Sequence, residues 1–170
     1  VTLHRPSNVD SPAGLRRVLV ELRRIARDTP LLFPVHPRTA NRIEALGIPP
    51  SPDLRMIAPM GYLDFLSVLR EARFVITDSG GVQEETTFLG VPCLTLRTTT
   101  ERPVTVTEGS NTLVGDDPRV LYPLVLKLDG ARRRPRSRPR FWDGRAAERV
   151  ARILAGLIQP STSRKARVIG

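Results

Sequence analysis

Phe74 to Gly90 reads FVITDSGGVQEETTFLG. The apolar and β-branched residues Phe74, Val75, Ile76 and Thr77 predict a strand, VQEETTFL predicts a helix, and Asp78-Ser79-Gly80-Gly81 joins them. A strand passing into a helix through a glycine turn is the working edge of an α/β protein, because ligands bind at the carboxyl ends of parallel strands. At a helix N-terminus the unpaired backbone N–H groups and the positive end of the dipole favour an anion. Gly80 and Gly81 carry no Cβ, so a phosphate can come close to the backbone, and the Ser79 hydroxyl adds a donor. Glu84 and Glu85 are expected in the first turn, where they either stabilise the dipole or accept the hydroxyls of a ribose. Neither the G-x-G-x-x-G fingerprint nor the G-x-x-x-x-G-K-[ST] loop is present, so the pattern points to a nucleotide diphosphate site of another kind.

Outward from this stretch, short apolar runs alternate with helical patterns. VTLH, LLFPVH, LRMIAPM, RFVITD, VPCLTL and NTLVG read as strands. Between them SPAGLRRVLVELRRIARD predicts a helix with Leu15, Val18, Leu19, Leu22, Ile25 and Ala26 on one face, Ser11 as N-cap and Pro12 as first helical residue. TANRIEALGI and YLDFLSVLREA follow as helices, the latter with Leu63, Leu66, Leu69 and Ala72 inward. DPRVLYPLVLKL and GRAAERVARILAGLI close the series, the last with Ala147, Val150, Ile153, Leu154 and Leu157 on one side. The alternation predicts an α/β fold: a parallel sheet covered on both faces, doubly wound and Rossmann-like. Residues 1–158 are expected to form this domain, with 159–170 a flexible tail.

The net charge of +10 suggests nucleic acid until it is located. Residues 1–126 hold 14 basic and 14 acidic side chains, and residues 127–170 hold 13 and 3. The excess is confined to one end, in and around ARRRPRSRPR (131–140), so it says little about the core domain's ligand. A single-stranded nucleic-acid module, built on Arg132 to Arg140 with Phe141 and Trp142, is the competing reading from another class. No apolar run is long enough for a transmembrane helix and no signal-peptide pattern is visible. Cys93 alone excludes an internal disulfide and reads as a small buried hydrophobe, which fits a reducing cytoplasm. Two histidines 32 residues apart and one cysteine draw no zinc cluster.

PMGYLDF, TDSGGVQEE and TTTERPVTVTEGSNTLVG, with the opening TLHRPSNVD, resemble the UDP-N-acetylglucosamine 2-epimerase family over roughly residues 1–158. The resemblance implies a two-domain glycosyltransferase-B architecture, of which this chain looks like the C-terminal, nucleotide-holding domain, with the N-terminal domain absent. It implies UDP-GlcNAc or UDP as ligand, a possible homodimer, no nucleic acid or membrane partner, and no NAD, flavin or metal. By the same resemblance Ser79, Gly80 and Gly81 hold the diphosphate and Glu85 the ribose. Phe65 packs on the uracil, or contributes to the core, with Met60 nearby offering backbone contacts. Arg102 in TERP lies near the phosphates, or pairs with Glu101 or a neighbour; Thr98 to Thr100 are loop donors or plain turn residues. His4, at the end of the first strand, stands where the family has a histidine needed for catalysis, with Arg5 beside it, although the family's frequent acidic residue three positions on is Ser7 here. His36 in VHPR resembles a position that binds a second, regulatory UDP-sugar in some members, and a structural histidine fits equally.

The chemistry implied is inversion at C2 of the N-acetylglucosamine ring. UDP is eliminated across C1–C2 to give a 2-acetamidoglucal and re-added after reprotonation from the opposite face. A hydrolysing epimerase that releases ManNAc and UDP shares these motifs. A UDP-sugar glycosyltransferase would share the fold but not TERP, and a non-catalytic UDP-binding domain is a further alternative. The pathway implied is precursor supply for cell-envelope polysaccharide.

Overall fold

The order of elements follows the alternation of apolar runs. The computed structural model describes residues 1–129 and 138–158. β1 (Leu31–Pro34) and β2 (Leu54–Ile57) pair in parallel, Leu31 opposite Leu54. β3 (Val75–Thr77), β4 (Cys93–Thr95) and β5 (Asn111–Leu113) form a second parallel group, with Val75 opposite Cys93 and Cys93 opposite Asn111. Residues 1–4 lie between the two groups. The Val1 amino group donates to the Leu32 carbonyl at 2.7 Å on one side. On the other, the Thr2 N–H donates to Ile76 O at 2.9 Å and the Asp78 N–H to Thr2 O at 3.3 Å. The spatial order is therefore β2, β1, residues 1–4, β3, β4, β5, the doubly wound order that reverses beside the first strand.

VTLH, expected as a full strand, is an extended segment with a single parallel bridge, Thr2 to Thr77. Its pairing stops early because the chain turns at Arg5 into α1 (Pro6–Val9), and Pro6 has no N–H to continue a ladder. Neither α1 nor α6 (Pro103–Thr107) was legible from periodicity, since four or five residues complete little more than one turn. Each begins with proline at its first position, the only signal available.

Both faces of the sheet are covered. α2 (Pro12–Ala26) buries the predicted stripe completely, each of its six residues 3% exposed or less, and Ser11 Oγ accepts from the Gly14 N–H at 3.3 Å as its cap. With β1, Ile76, Leu94 and α7 (Leu121–Asp129) this face forms the main core. Val75, next to Ile76 and pointing the other way, joins Leu69, Val82 and Val91 in a smaller cluster under α4 (Tyr62–Glu71) and α5 (Gly80–Leu89). α3 (Pro37–Ala45) contributes Ile43 to the main core. Cys93 is fully buried, and burial pushes its thiol up to about 11.

One expected face is corrected. Leu63 is 78% exposed, whereas Leu69 is buried and Leu66 and Ala72 are half-buried. α4 meets the smaller cluster with its C-terminal half, so the apolar residue at its other end has nothing above it. The residues after Arg138 form a compact unit of their own, described from Pro139 to Ile158. There Asp143 pairs with Arg149 on α8 (Ala146–Ile158), and the Arg140 and Arg149 guanidinium groups lie 4.7 and 5.0 Å from the Phe141 ring centroid. Val150, Ile153, Leu154 and Leu157 are exposed, because periodicity reveals an apolar stripe without naming what covers it. Arg132, Arg133, Arg134 and Arg136 and the expected tail 159–170 lie outside the described residues. No described helix is long and apolar enough to cross a membrane.

Candidate functional site

α5 starts at Gly80, with Ser79 as its N-cap. The helix therefore opens on two glycines, and Glu84 and Glu85 fall in the second turn rather than the first, where the dipole argument for them weakens. Glycine is a weaker helix former than alanine, by about 1 kcal/mol within a helix interior. Neither Gly80 nor Gly81 has positive φ. A Cβ at Gly80 would come no closer than 3.9 Å to another group (Glu101 Oε2), and one at Gly81 no closer than 4.0 Å (Ser79 Oγ). The fold itself does not require these glycines. What they leave is bare backbone at a helix N-terminus, and the Ser79 side chain beside it makes no capping bond.

The first strand ends against this turn. Asp78 is fully buried, and its carboxylate accepts from the backbone N–H of His4 (3.2 Å to each oxygen), the N–H of Arg5 (3.0 Å) and Asn8 Nδ2 (2.9 Å). His4 Nδ1 lies 3.0 Å from Asp78 Oδ1, with the imidazole side chain 57% exposed. Arg5 Nε donates to the Asp78 carbonyl at 3.1 Å. Asp78 thus ties the HRPSN segment to the DSGG turn at the point where strand order reverses, which is where an open α/β sheet takes its ligand. Asp78 and Asn8 were not singled out from sequence. An aspartate ahead of Ser-Gly-Gly reads as a turn residue, and its partners are 70 to 74 positions away.

The basic residues here are matched by carboxylates. Arg97 grips Glu101 with two bonds of 2.8 and 2.7 Å, and Arg5 Nη2 reaches the same carboxylate at 3.4 Å. Arg97 holds the Glu101 carboxyl well below the usual range, at about 2. Arg102 Nε lies 2.8 Å from Glu84 Oε1 and its Nη1 donates to Glu101 O at 3.3 Å, so its partner is Glu84 rather than the Glu101 carboxylate. The TTTERP loop is anchored through Thr100, whose hydroxyl donates to Gln83 Oε1 (2.6 Å) and accepts from the Arg102 N–H (3.0 Å). Gln83, fully buried on α5, also accepts from Asn111 Nδ2 at 3.1 Å. This buried link fixes the Arg102 loop to the helix that carries the glycines.

Glu85 is partly buried, which raises its carboxyl above the ordinary glutamate value; a hydrogen bond from Tyr62 opposes this and the neighbouring Glu84 charge adds to it. Two residues of the PMGYLDF segment approach α5, Tyr62 at Glu85 and Phe65 at Val82. Met60 is half-buried just ahead of the Gly61 cap. Phe65 is half-buried against the Leu69, Val75, Val82 and Val91 cluster, the core contribution left open for it. His36 caps α3, its Nδ1 accepting from the Arg38 N–H at 3.2 Å.

The UDP-N-acetylglucosamine 2-epimerase family model matches residues 1–155. The chain belongs to the UDP-N-acetylglucosamine 2-epimerase family. It is 39% identical over 160 residues to the UDP-N-acetylglucosamine 2-epimerase of Methanocaldococcus jannaschii, covering 91% of this chain and 43% of that protein. The crystal structure of the M. jannaschii enzyme in complex with UDP-GlcNAc and UDP superposes with a TM-score of 0.79 at 38% identity, over 91% of this chain and 44% of that one. A UDP-2,3-diacetamido-2,3-dideoxy-D-glucuronate 2-epimerase of Pseudomonas aeruginosa is 37% identical over 164 residues, covering 92% of this chain and 44% of that protein. The chain spans less than half the length of these relatives, and the α/β fold with parallel strands is part of theirs.

Proposed function

We propose that this chain is the UDP-holding part of a UDP-N-acetylglucosamine 2-epimerase. The observation that carries the reading is the bare Gly80-Gly81 backbone at the start of α5, which packing and dihedral angles leave unexplained and a diphosphate would explain. In this reading the α5 N-terminus and the Ser79 hydroxyl bind the diphosphate, and Glu85 accepts from the ribose hydroxyls. Phe65 and Met60 border the uracil. Arg102 leaves or shares Glu84 to face the phosphates. C1–O cleavage places charge on the departing UDP, and a fixed cation with aligned N–H groups stabilises that charge as it develops. His4, with Arg5 beside it, lies at the sugar end of the diphosphate.

Removal and return of the C2 proton need acid and base groups on both faces of the ring. The carboxylates for that step are assigned to the part of the relatives' length that this chain does not span. The pure 170-residue chain is therefore expected to bind UDP and not to turn over UDP-GlcNAc. Inverting and hydrolysing epimerases share the UDP half-site, and the P. aeruginosa relative is named for another UDP-sugar. UDP and position C2 are the common element, with the remaining sugar substituents secondary. Calorimetric titration with UDP tests the reading. Saturable binding abolished or much weakened by both Glu85→Ala and Arg102→Ala is expected; no heat at millimolar UDP, or binding indifferent to both changes, contradicts it.

A further inference from the structure

The Arg102 backbone is held on both sides by threonine hydroxyls. Its N–H donates to Thr100 Oγ1 at 3.0 Å, and its carbonyl accepts from the Thr105 hydroxyl at 2.7 Å. Taken singly, each is an ordinary contact of a loop that leads into a helix. Together they are the two ends of one ring. A carbonyl can only accept, so the Thr105 hydroxyl donates to it and must itself accept from Asn111 Nδ2, 3.1 Å away. The same Asn111 nitrogen donates to Gln83 Oε1 at 3.1 Å. That oxygen also accepts from the Thr100 hydroxyl at 2.6 Å, which closes the ring on the Arg102 N–H. Neither amide can be turned over without setting two donors or two acceptors face to face. Gln83, Thr105 and Asn111 are all buried, and Gln83 Nε2 has no hydrogen-bond partner among the described residues. An unpaired buried donor costs stability, so packing alone does not account for a glutamine here.

We infer that Gln83 is a positioning residue for Arg102, acting through the oxygen of its amide. By this ring α5, which opens on Gly80 and Gly81, and β5, which supplies Asn111, set where the Arg102 side chain departs relative to the α5 N-terminus. Gln83 is fully buried and acts only through Arg102. The Arg102 guanidinium, partly exposed and paired with Glu84, can then exchange that carboxylate for a phosphate while the backbone beneath it stays fixed. The part of this inference that concerns the phosphate rests on the function proposed above; the hold on the Arg102 backbone does not.

Gln83→Met keeps the length of the side chain and removes its acceptor oxygen. Thr100→Val cuts the same ring from its less buried end, and decides the matter alone if Gln83→Met does not fold. Hydrogen exchange of the backbone amides, followed without ligand, reads the ring directly. In both variants the Arg102 amide is expected to exchange about tenfold faster or more, while the Thr86 and Thr87 amides of α5 keep their rates. A glutamine that only stabilised the fold would loosen α5 and the loop together. Calorimetric titration of the same variants with UDP is expected to show affinity lowered about tenfold, the worth of one charge-assisted bond. An Arg102 amide that exchanges no faster, an equal rise throughout α5, or UDP bound as tightly as by the unaltered chain overturns the inference. The two failures separate. If the unaltered chain binds no UDP, the functional reading fails, and the exchange pattern by itself confirms or overturns the hold of Gln83 on Arg102.

Discussion

Burial lifts the Glu85 carboxyl above the ordinary glutamate value, while its neighbour Glu84 is held in an ion pair with Arg102. A ribose hydroxyl donates to a carboxylate, so protonating Glu85 removes an acceptor. Because the folded-state value is raised, that loss begins at a higher pH than for a free glutamate. Affinity for UDP-GlcNAc, followed by calorimetry across the acid range, is expected to fall in a step placed above the usual glutamate value, and Glu85→Gln to be weak and flat over the same range. For stability the sign is opposite to that of a salt-bridged acid. A raised carboxyl favours the folded chain below its unfolded value, and the contribution is lost as pH rises through the folded value, so acid unfolding does not originate at Glu85. Glu101, lowered to about 2, is a group whose contribution persists above its ordinary value and disappears as pH falls toward 2. The strand–turn–helix at Ser79-Gly80-Gly81 was legible in sequence because it is local, whereas Glu84 and Glu85 stand one turn later than expected. Asp78, Gln83 and Tyr62 were not legible, because each acts through a partner from a distant segment.

At the scale of elements, four glycine and leucine positions separate fold from function. A Cβ at Gly109 would lie 2.5 Å from both the Thr105 carbonyl oxygen and Thr87 Oγ1, and backbone cannot yield cheaply. Gly109→Ala is expected to destabilise by about 2 kcal/mol, read from chemical denaturation, through the clash between α5 and the turn before β5. Gly80→Ala meets nothing closer than 3.9 Å. It should leave the melting temperature unchanged or raise it, since alanine is the better helix former, while weakening UDP binding at least tenfold. Leu19→Ala, from the fully buried face of α2, should cost about 3 kcal/mol, and Leu63→Ala, 78% exposed on α4, under about 0.5 kcal/mol. The contrast follows from length. α2 runs four turns and its stripe specifies one buried face, whereas α4 presents the same period over a shorter span and only its second half finds the sheet.

For the whole molecule, the order β2, β1, residues 1–4, β3, β4, β5 brings two segments more than seventy residues apart to one crevice, and it is this crossing that makes a site. The alternation of strand and helix conveyed the fold class; the pairing of residues 1–4 with both β1 and β3 was not legible, because no pattern in VTLH says which strands flank it. The most direct measurement is amide chemical-shift mapping of the labelled chain during titration with UDP. The account predicts the largest changes at Ser79, Gly80 and Gly81, with smaller ones at His4, Arg5 and the Thr98 to Arg102 loop. Changes confined to the α3–β2 face around His36, or none at millimolar UDP, would contradict it.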